Sequence, residues 1–323
     1  MSVYTNLDAV DIQPLLDHYQ QGKLVDYRGI AAGIENTNYF VTAESANGDT
    51  REFVLTLFET TSSENLSGYF DLMAHLASQK LPVAEPCQDR NGHFVYELKN
   101  KPAALVSRLA GASTAQPNAD QCQAVGRFLA AMHELTQRPN DQLSNTRGAD
   151  WRQRIMVKLF NADIREQQQL ITMSHQAAVE FEHADLPRGI VHGDLFHDNA
   201  LFLENELTGI IDFYYAHHSP LIYDLAVCIA DWCFVLNHGE LALDNARAII
   251  SGYRQQRNIS LAEAAAWTKS LELAGLRFYL SRLHDKHFPR PGAITQEKDP
   301  EAFLNLIKLC RENPAELNSI LSP

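Results

Sequence analysis

The chain has 323 residues, of which 45% are hydrophobic and 21% charged, and it carries a formal net charge of −13 at pH 7. That length is enough for two lobes and a sizeable core. The acidic balance speaks against nucleic acid and anionic membranes as partners, because both would be repelled.

A short helix is predicted over residues 8–20, with Val10, Ile12, Leu15, Leu16 and Tyr19 as its apolar positions. Residues 25–58 read as three strands. Asn47-Gly48 is expected as a two-residue hairpin turn between the second and third. The turn between the first and second holds Gly33 and the polar set Glu35, Asn36, Thr37 and Asn38. Ser62 or Ser63 then caps a helix whose stripe is Leu66, Tyr69, Phe70, Met73, Leu76 and Ala77. Asn91-Gly92 turns a further hairpin, and Ala103 to Leu109 is the strand after it. These elements make a strand-rich lobe with one helix, residues 1–110, and the boundary falls in Gly111 to Pro117.

From Asn118 the pattern is helical, with Val125, Phe128, Leu129, Met132 and Leu135 on one face. Residues 151–183 hold one or two more helices, and others are expected near 241–256, 261–284 and 300–311. The most apolar stretch, Leu221 to Leu236, is interrupted by Asp224 and Asp231 and is too short to span a bilayer, so it reads as a buried helix. The fold class is α+β, with residues 111–323 as the larger, mostly helical lobe. Cys87, Cys122, Cys228, Cys233 and Cys310 form no CxxC pair, which predicts reduced thiols in a cytoplasm. The N-terminal residues lack the basic region and apolar core of a signal peptide.

The chemistry concentrates in His192-Gly-Asp194-Leu-Phe-His-Asp-Asn199 and, one hairpin later, Ile211-Asp212-Phe213. The apolar run Gly189-Ile-Val191 precedes the first motif. Ala200 to Leu203, a turn at Glu204-Asn205-Glu206, and Leu207 to Ile211 connect it to the second. A base, a metal-binding amide and a metal-binding carboxylate in this order suit phosphoryl transfer, where the protein mostly positions and neutralises. Asp194 is the expected base for an acceptor hydroxyl. Asn199 and Asp212 offer the hard oxygens that Mg²⁺ prefers. The acidic balance also favours a phosphate ligand that arrives as a metal complex. His192 is expected to brace the loop, one base being sufficient. His192, His197, His217 and His218 lack zinc-site spacing, and His217 and His218 are expected as polar loop residues. Asp224 reads as an N-cap or first-turn acid.

The order H-x-D-x-x-x-x-N, hairpin, I-D-F resembles the aminoglycoside-phosphotransferase and choline-kinase-like branch of the protein-kinase fold. Within it, the wording resembles the bacterial homoserine kinases of the phosphotransferase-like type. The matching phrases are Gly33 to Phe40, Phe53 to Glu59, Lys101 to Leu105, Val191 to Phe196, Gly209 to Tyr214 and Leu276 to Leu283. The resemblance implies a bilobal kinase-like fold, ATP with Mg²⁺ as donor, and L-homoserine as a small-molecule acceptor on the way to threonine. It makes residues 1–110 the nucleotide-binding lobe and residues 111–323 the catalytic and acceptor lobe. Gly33, Asn36, Thr37 and Asn38 become the loop over the phosphates, and Ser107-Arg108-Leu109 the hinge that meets adenine. Asp224 would brace the catalytic loop from below.

One position departs from the wider fold. Kinases of this type carry a lysine on the third strand that meets the phosphates. Here Thr56 takes its place, and no lysine occurs from Leu24 to Gln79. Arg51 falls on the opposite alternation. The threonine suits the homoserine kinase branch, and the missing charge must come from Mg²⁺, backbone amides or another residue. A carboxylate-bearing acceptor needs a cation, ideally arginine. Arg277 and Arg282 are the candidates, with salt bridging as their alternative use. Tyr214, Asp231 and Trp232 are expected beside them, the acid suiting an ammonium group. Rival readings are a kinase for another hydroxyl, such as a sugar, choline or aminoglycoside, and a nucleotide-binding pseudokinase. The oligomeric state is not readable.

Overall fold

In a computed structural model of the chain, residues 4–30, 36–61, 66–137, 143–162, 167–289 and 298–322 are described. Internal contacts divide the chain into two compact units, with the break between Ala110 and Gly111.

The first unit is built on an antiparallel sheet of β1 (Lys23–Gly29), β2 (Thr37–Glu44), β3 (Thr50–Leu57), β4 (Tyr96–Leu98) and β5 (Lys101–Ser107), in the order β1-β2-β3-β5-β4. Side chains alternate across a strand. Tyr39, Val41 and Ala43 of β2, Phe53, Leu55 and Leu57 of β3, and Ala103 and Leu105 of β5 therefore share one face. There they pack with Ile12, Leu15 and Leu16 of α1 (Ala9–His18). The unit thus carries α1 and α2 (Ser67–Ser78), at the two places where the apolar spacing predicts helices. Ser62 and Ser63, the expected caps of α2, lie outside the described residues.

Two turns differ from expectation. Glu44 pairs with Thr50, and the Gly48 N–H donates to the Ser45 carbonyl at 3.0 Å. Gly48, at φ +85°, closes a longer turn with a left-handed residue instead of sitting inside a two-residue one. The two-residue turn is elsewhere, at Lys99-Asn100, where both φ angles are positive and Leu98 pairs with Lys101. Asparagine tolerates that region; lysine gives no such signal, so composition does not mark the turn, and the strand begins two residues before the expected Ala103. The Asn91-Gly92 turn exists, closed by Asp89 and His93, without a strand on its N-terminal side.

The second unit begins with α3 (Ala119–Thr136), α4 (Ala149–Asn161) and α5 (Gln168–His183). Asn118 caps α3 by accepting the Gln121 N–H, and Gln121 accepts the Asn118 N–H in return. Then follow β6 (Arg188–Val191), the hairpin β7 (Ala200–Leu203) and β8 (Glu206–Ile210), and β9 (His217–Pro220), which pairs with β6. His217 and His218 are therefore strand residues, and His217 is buried. The apolar stretch forms α6 (Ile222–Ile229) and widens into a π-helix over Ala230–Val235. α7 (Leu243–Arg254), α8 (Leu261–His287), α9 (Glu301–Glu312) and α10 (Pro314–Asn318) complete the unit. α3 packs along α7 where Gly126 and Gly252 let the two backbones meet. No helix among the described residues is long and apolar enough to cross a membrane. All five cysteines are unpaired.

Candidate active site

Strand β6 delivers the chain to His192, and the backbone turns at Gly193 with φ +75°. A Cβ there would stand 2.8 Å from the Tyr215 carbonyl oxygen and 3.0 Å from the His217 ring, so glycine is required. The turn is held from below. The buried Asp224 carboxylate accepts the N–H of His192 at 2.6 Å, the N–H of Gly193 at 2.8 Å and Nε2–H of His133 at 3.1 Å. Burial alone would raise the Asp224 pKa; the His133 hydrogen bond, the nearby histidines and the Gly193 N–H outweigh it and keep the group ionised.

His192 fastens the loop sideways. Its Nε2–H donates to the Ile211 carbonyl at 3.0 Å, its Nδ1 accepts the Asp194 N–H at 3.3 Å, and its ring packs on Phe213 at 4.7 Å. Complete burial holds its pKa below the ordinary histidine value despite Asp224. Both ring nitrogens are thus engaged with backbone, one at Asp194 and one beside Asp212. The Asn199 carbonyl accepts the Ile211 N–H at 3.0 Å, a second tie between loop and hairpin. Asn199 Nδ2 donates to the Asp194 carbonyl at 2.9 Å, so its Oδ1 is the atom left for a ligand. Asp212 is exposed and sits in the left-handed region at φ +66°, ψ +56°. For a non-glycine residue that conformation is uncommon.

Asp194 itself is partly exposed, with Oδ1 3.3 Å from Arg277 Nη2. Arg277, buried on α8, lies over the rings of Phe278 at 3.8 Å and Tyr215 at 4.9 Å. Arg282 is five residues further along the helix. It donates to the Asp299 carbonyl at 2.8 Å and lies over Phe303. Burial lowers its pKa, opposed by the charges of Asp231, Asp299, Asp198 and Asp194.

The π-helix turns two successive residues onto the loop. Asp231 accepts the His197 N–H at 2.9 Å and its Nδ1–H at 2.7 Å, and the Trp232 indole donates to the Leu195 carbonyl at 3.1 Å. Burial pulls the His197 pKa down, but the Asp231 hydrogen bond and charge raise it above the ordinary value. Asp231 and Trp232 are both buried, so they support the loop; the expectation that they line an acceptor pocket is corrected by their burial and hydrogen bonds. Widened helices recur at such places. Tyr214 is half-buried after Asp212, but the ring that meets Arg277 belongs to its neighbour Tyr215.

In the first unit, Gly33 lies outside the described residues. Asn36 is half-buried just before β2 and its Oδ1 accepts the Glu59 N–H at 3.4 Å. Thr37 is corrected. It is fully buried on the α1 face, where its hydroxyl accepts the N–H groups of Tyr4 and Thr5 and donates to Glu59 at 2.6 Å. Its role there is to tie down the N-terminal segment. Asn38 and Thr56 pair across the opposite face, with Thr56 Oγ1 donating to Asn38 Oδ1 at 2.8 Å. The Ser107 N–H donates to the Glu85 carbonyl and the Arg108 N–H to the Glu52 carbonyl. Leu109 follows, half-buried.

A family model described as "Phosphotransferase enzyme family" matches residues 26–258. The chain belongs to that phosphotransferase family. A homoserine kinase of Methylobacillus flagellatus is 40% identical over 310 residues, covering 95% of each chain. A homoserine kinase of Cupriavidus pinatubonensis is 40% identical over 316 residues, covering 95% of this chain and 96% of its own. Among solved structures, an amicoumacin kinase superposes with a TM-score of 0.68 at 19% identity, covering 94% of each chain. A spectinomycin phosphotransferase does so with a TM-score of 0.68 at 14% identity, covering 98% of each chain. The fold is that of the kinase-like phosphotransferases, as the catalytic-loop motif implied.

Sequence reasoning missed His133 and Tyr215. His133 sits on the apolar face of α3 and reads as an ordinary core residue. Tyr215 carries no motif of its own beyond its closeness to Asp212.

Proposed function

We propose that this phosphotransferase moves the γ-phosphoryl group of ATP to the side-chain hydroxyl of L-homoserine, giving ADP and O-phospho-L-homoserine. The observation that carries this reading is full-length similarity to homoserine kinases together with Asp194, Asn199 and Asp212 on one braced loop and hairpin. As the acceptor oxygen attacks the γ-phosphorus, the bond to the β-phosphate oxygen breaks, and Asp194 takes the hydroxyl proton. His192 positions rather than reacts, since both its ring nitrogens are bound to backbone.

The donor set fits Mg²⁺. Asn199 Oδ1 and the Asp212 carboxylate are hard oxygens. No group of three or more His, Cys, Asp or Glu side chains suited to a metal occurs among the described residues. Mg²⁺ bound with a nucleotide needs only one or two protein oxygens, the phosphates supplying others. Once bound, the ion would neutralise charge on the phosphate oxygens. Asp212, exposed at the end of the hairpin, and Asn199, locked by its bond to the Asp194 carbonyl, are the residues to hold it.

For the nucleotide, Gly33, Asn36, Asn38, Thr56 and the backbone from Ser107 to Leu109 are the proposed contacts. Thr56 also suggests how the lysine's absence is met. By donating to Asn38 Oδ1, it fixes the amide so that Asn38 presents its NH₂ as a donor toward the phosphates. Lys101 is no substitute, because it is bound to Glu59 and Thr5 on the α1 face. For the acceptor, Arg277 is the cation beside Asp194. Five unpaired thiols suit an enzyme of a reducing cytoplasm.

The test is ADP release from Mg-ATP with L-homoserine, D-homoserine, L-serine, choline and kanamycin in parallel, with the Asp194→Asn variant as control. Turnover with L-homoserine, lost in the variant, is the expected result. Turnover confined to another acceptor would overturn the substrate, and nucleotide binding without turnover would favour the pseudokinase.

A further inference from the structure

The support beneath the catalytic turn does not end at His133. Its Nδ1 lies 2.8 Å from the Tyr253 hydroxyl on α7, and that oxygen is 3.0 Å from Arg257 Nη1. Arg257 Nη2 lies 2.9 Å from Glu263 Oε1. Glu263 Oε2 accepts the N–H and the hydroxyl of Ser260, the N-cap of α8, at 2.9 Å each. Asp224, His133, Tyr253 and Glu263 are fully buried, and Arg257 nearly so.

The donors in this chain can run in one direction. A guanidinium only donates, so the Tyr253 oxygen accepts from Arg257 and its own proton goes to His133 Nδ1. The His133 proton is then on Nε2, which donates to Asp224 at 3.1 Å. Burial raises the Tyr253 pKa against the neighbouring Arg257 charge, so the hydroxyl keeps the proton that it donates. Every bond points toward Asp224, and bonds aligned in this way strengthen one another in a dry interior. Asp224 passes the constraint on by accepting the His192 and Gly193 N–H groups. At the far end, Glu263 lies on α8, the helix whose Arg277 stands 3.3 Å from Asp194. One buried chain thus ties the backbone before Asp194 to the helix that faces its carboxylate.

We propose that Tyr253 and Arg257 are positioning residues for phosphoryl transfer: acting through His133 and Asp224, they fix where the Asp194 carboxylate stands. Neither needs to touch a substrate. The inference rests on the reading of Asp194 as the base.

The experiment measures kcat and the KM values for Mg-ATP and L-homoserine in wild type, Tyr253→Phe, His133→Leu and the double variant. Each rate is divided by the concentration of folded sites, counted by calorimetric titration with Mg-ADP. Tyr253→Phe removes only the hydroxyl that joins His133 to Arg257. It is expected to lower kcat about tenfold and leave both KM values within about twofold, because a small misplacement of the base costs rate and not ground-state binding. In the His133→Leu background the same change should alter kcat by less than about twofold, since the link to Asp224 is already cut. A merely structural tyrosine would lower the melting temperature and the number of folded sites but not kcat per site. A kcat per site within about twofold of wild type in Tyr253→Phe would overturn the proposal. So would an equal loss in both backgrounds, which would mean that Tyr253 acts by another route. If Tyr253→Phe does not fold, Arg257→Lys, whose compact ammonium cannot reproduce both guanidinium contacts, carries the same comparison. The Asp194→Asn variant separates the two readings. Turnover kept in that variant sinks the assignment of the base; turnover lost there but kept in Tyr253→Phe sinks the positioning chain alone.

Discussion

The Asp224 carboxylate accepts the backbone N–H of His192 at 2.6 Å, so the loop that carries Asp194 hangs from a buried charge on α6. His133 on α3 completes the support at 3.1 Å and is itself bound to the Tyr253 hydroxyl at 2.8 Å, which accepts from Arg257 at 3.0 Å. Removing the carboxylate leaves two N–H groups and a histidine without their acceptor in a dry site. Asp224→Ala should therefore lose about 3–5 kcal/mol of stability, the range for breaking a buried charged network. Urea unfolding measures it, and a loss below about 1 kcal/mol would show that the loop has other support.

Asp194→Asn separates chemistry from structure. The side chain is partly exposed and its backbone carbonyl, not its carboxylate, binds Asn199. The amide keeps the shape but cannot take a proton. Turnover should fall about 10²- to 10⁴-fold, as loss of a positioned base does, with the melting temperature close to wild type. Near-normal turnover would remove Asp194 from the role of base.

The candidate catalytic loop is legible because its residues are local: Asp194 and Asn199 lie on one loop and Asp212 one hairpin later, so spacing alone singles them out. The sheet was legible from alternation, although the Lys99-Asn100 turn was not, since its left-handed lysine carries no compositional mark. What spacing could not show is how distant helices meet the loop. Asp231 and Trp232 read as pocket residues from their sequence neighbourhood, yet the π-helix turns both onto the loop backbone. Thr37 read as a phosphate-loop residue, yet strand alternation puts it on the α1 face. Arg147 lies 130 residues from Arg277, and only the fold brings both to Tyr215.

His217 predicts an acid-sensitive fold. It is fully buried on β9, its Nδ1–H donates to the Tyr215 carbonyl at 2.9 Å, and its Nε2 has no partner among the described residues. Burial lowers its pKa from the ordinary 6.5, with Arg277 acting in the same direction and the Tyr215 carbonyl, Asp224 and Glu182 opposing. The unfolded chain takes up the proton below about pH 6.5 while the native state resists. Stability is thus fully present above that pH and falls as pH drops from it toward the folded pKa. His217→Asn keeps a donor for the Tyr215 carbonyl but cannot titrate. The stability lost between pH 7.5 and 5.5 should be smaller in the variant than in wild type. Equal losses would place the acid sensitivity elsewhere, His192 being the next buried candidate.

The bond from Thr56 to Asn38 gives the last test, because it bears on how a kinase of this fold works without its third-strand lysine. Thr56→Val keeps the shape of the side chain and removes only the hydroxyl that orients the Asn38 amide. If that amide donates to the phosphates, the variant should bind Mg-ATP about twofold to tenfold more weakly, the worth of one neutral hydrogen bond. Asn38→Asp replaces the donor by a negative charge facing an anion and should weaken binding further, by a margin that shrinks in high salt. Neither change should alter KM for L-homoserine. Calorimetric titration with Mg-ADP and steady-state KM values for both substrates measure these effects. Unchanged nucleotide affinity in Asn38→Asp would show that the amide does not face the phosphates, and the missing charge would then have to come from the metal or from backbone N–H groups.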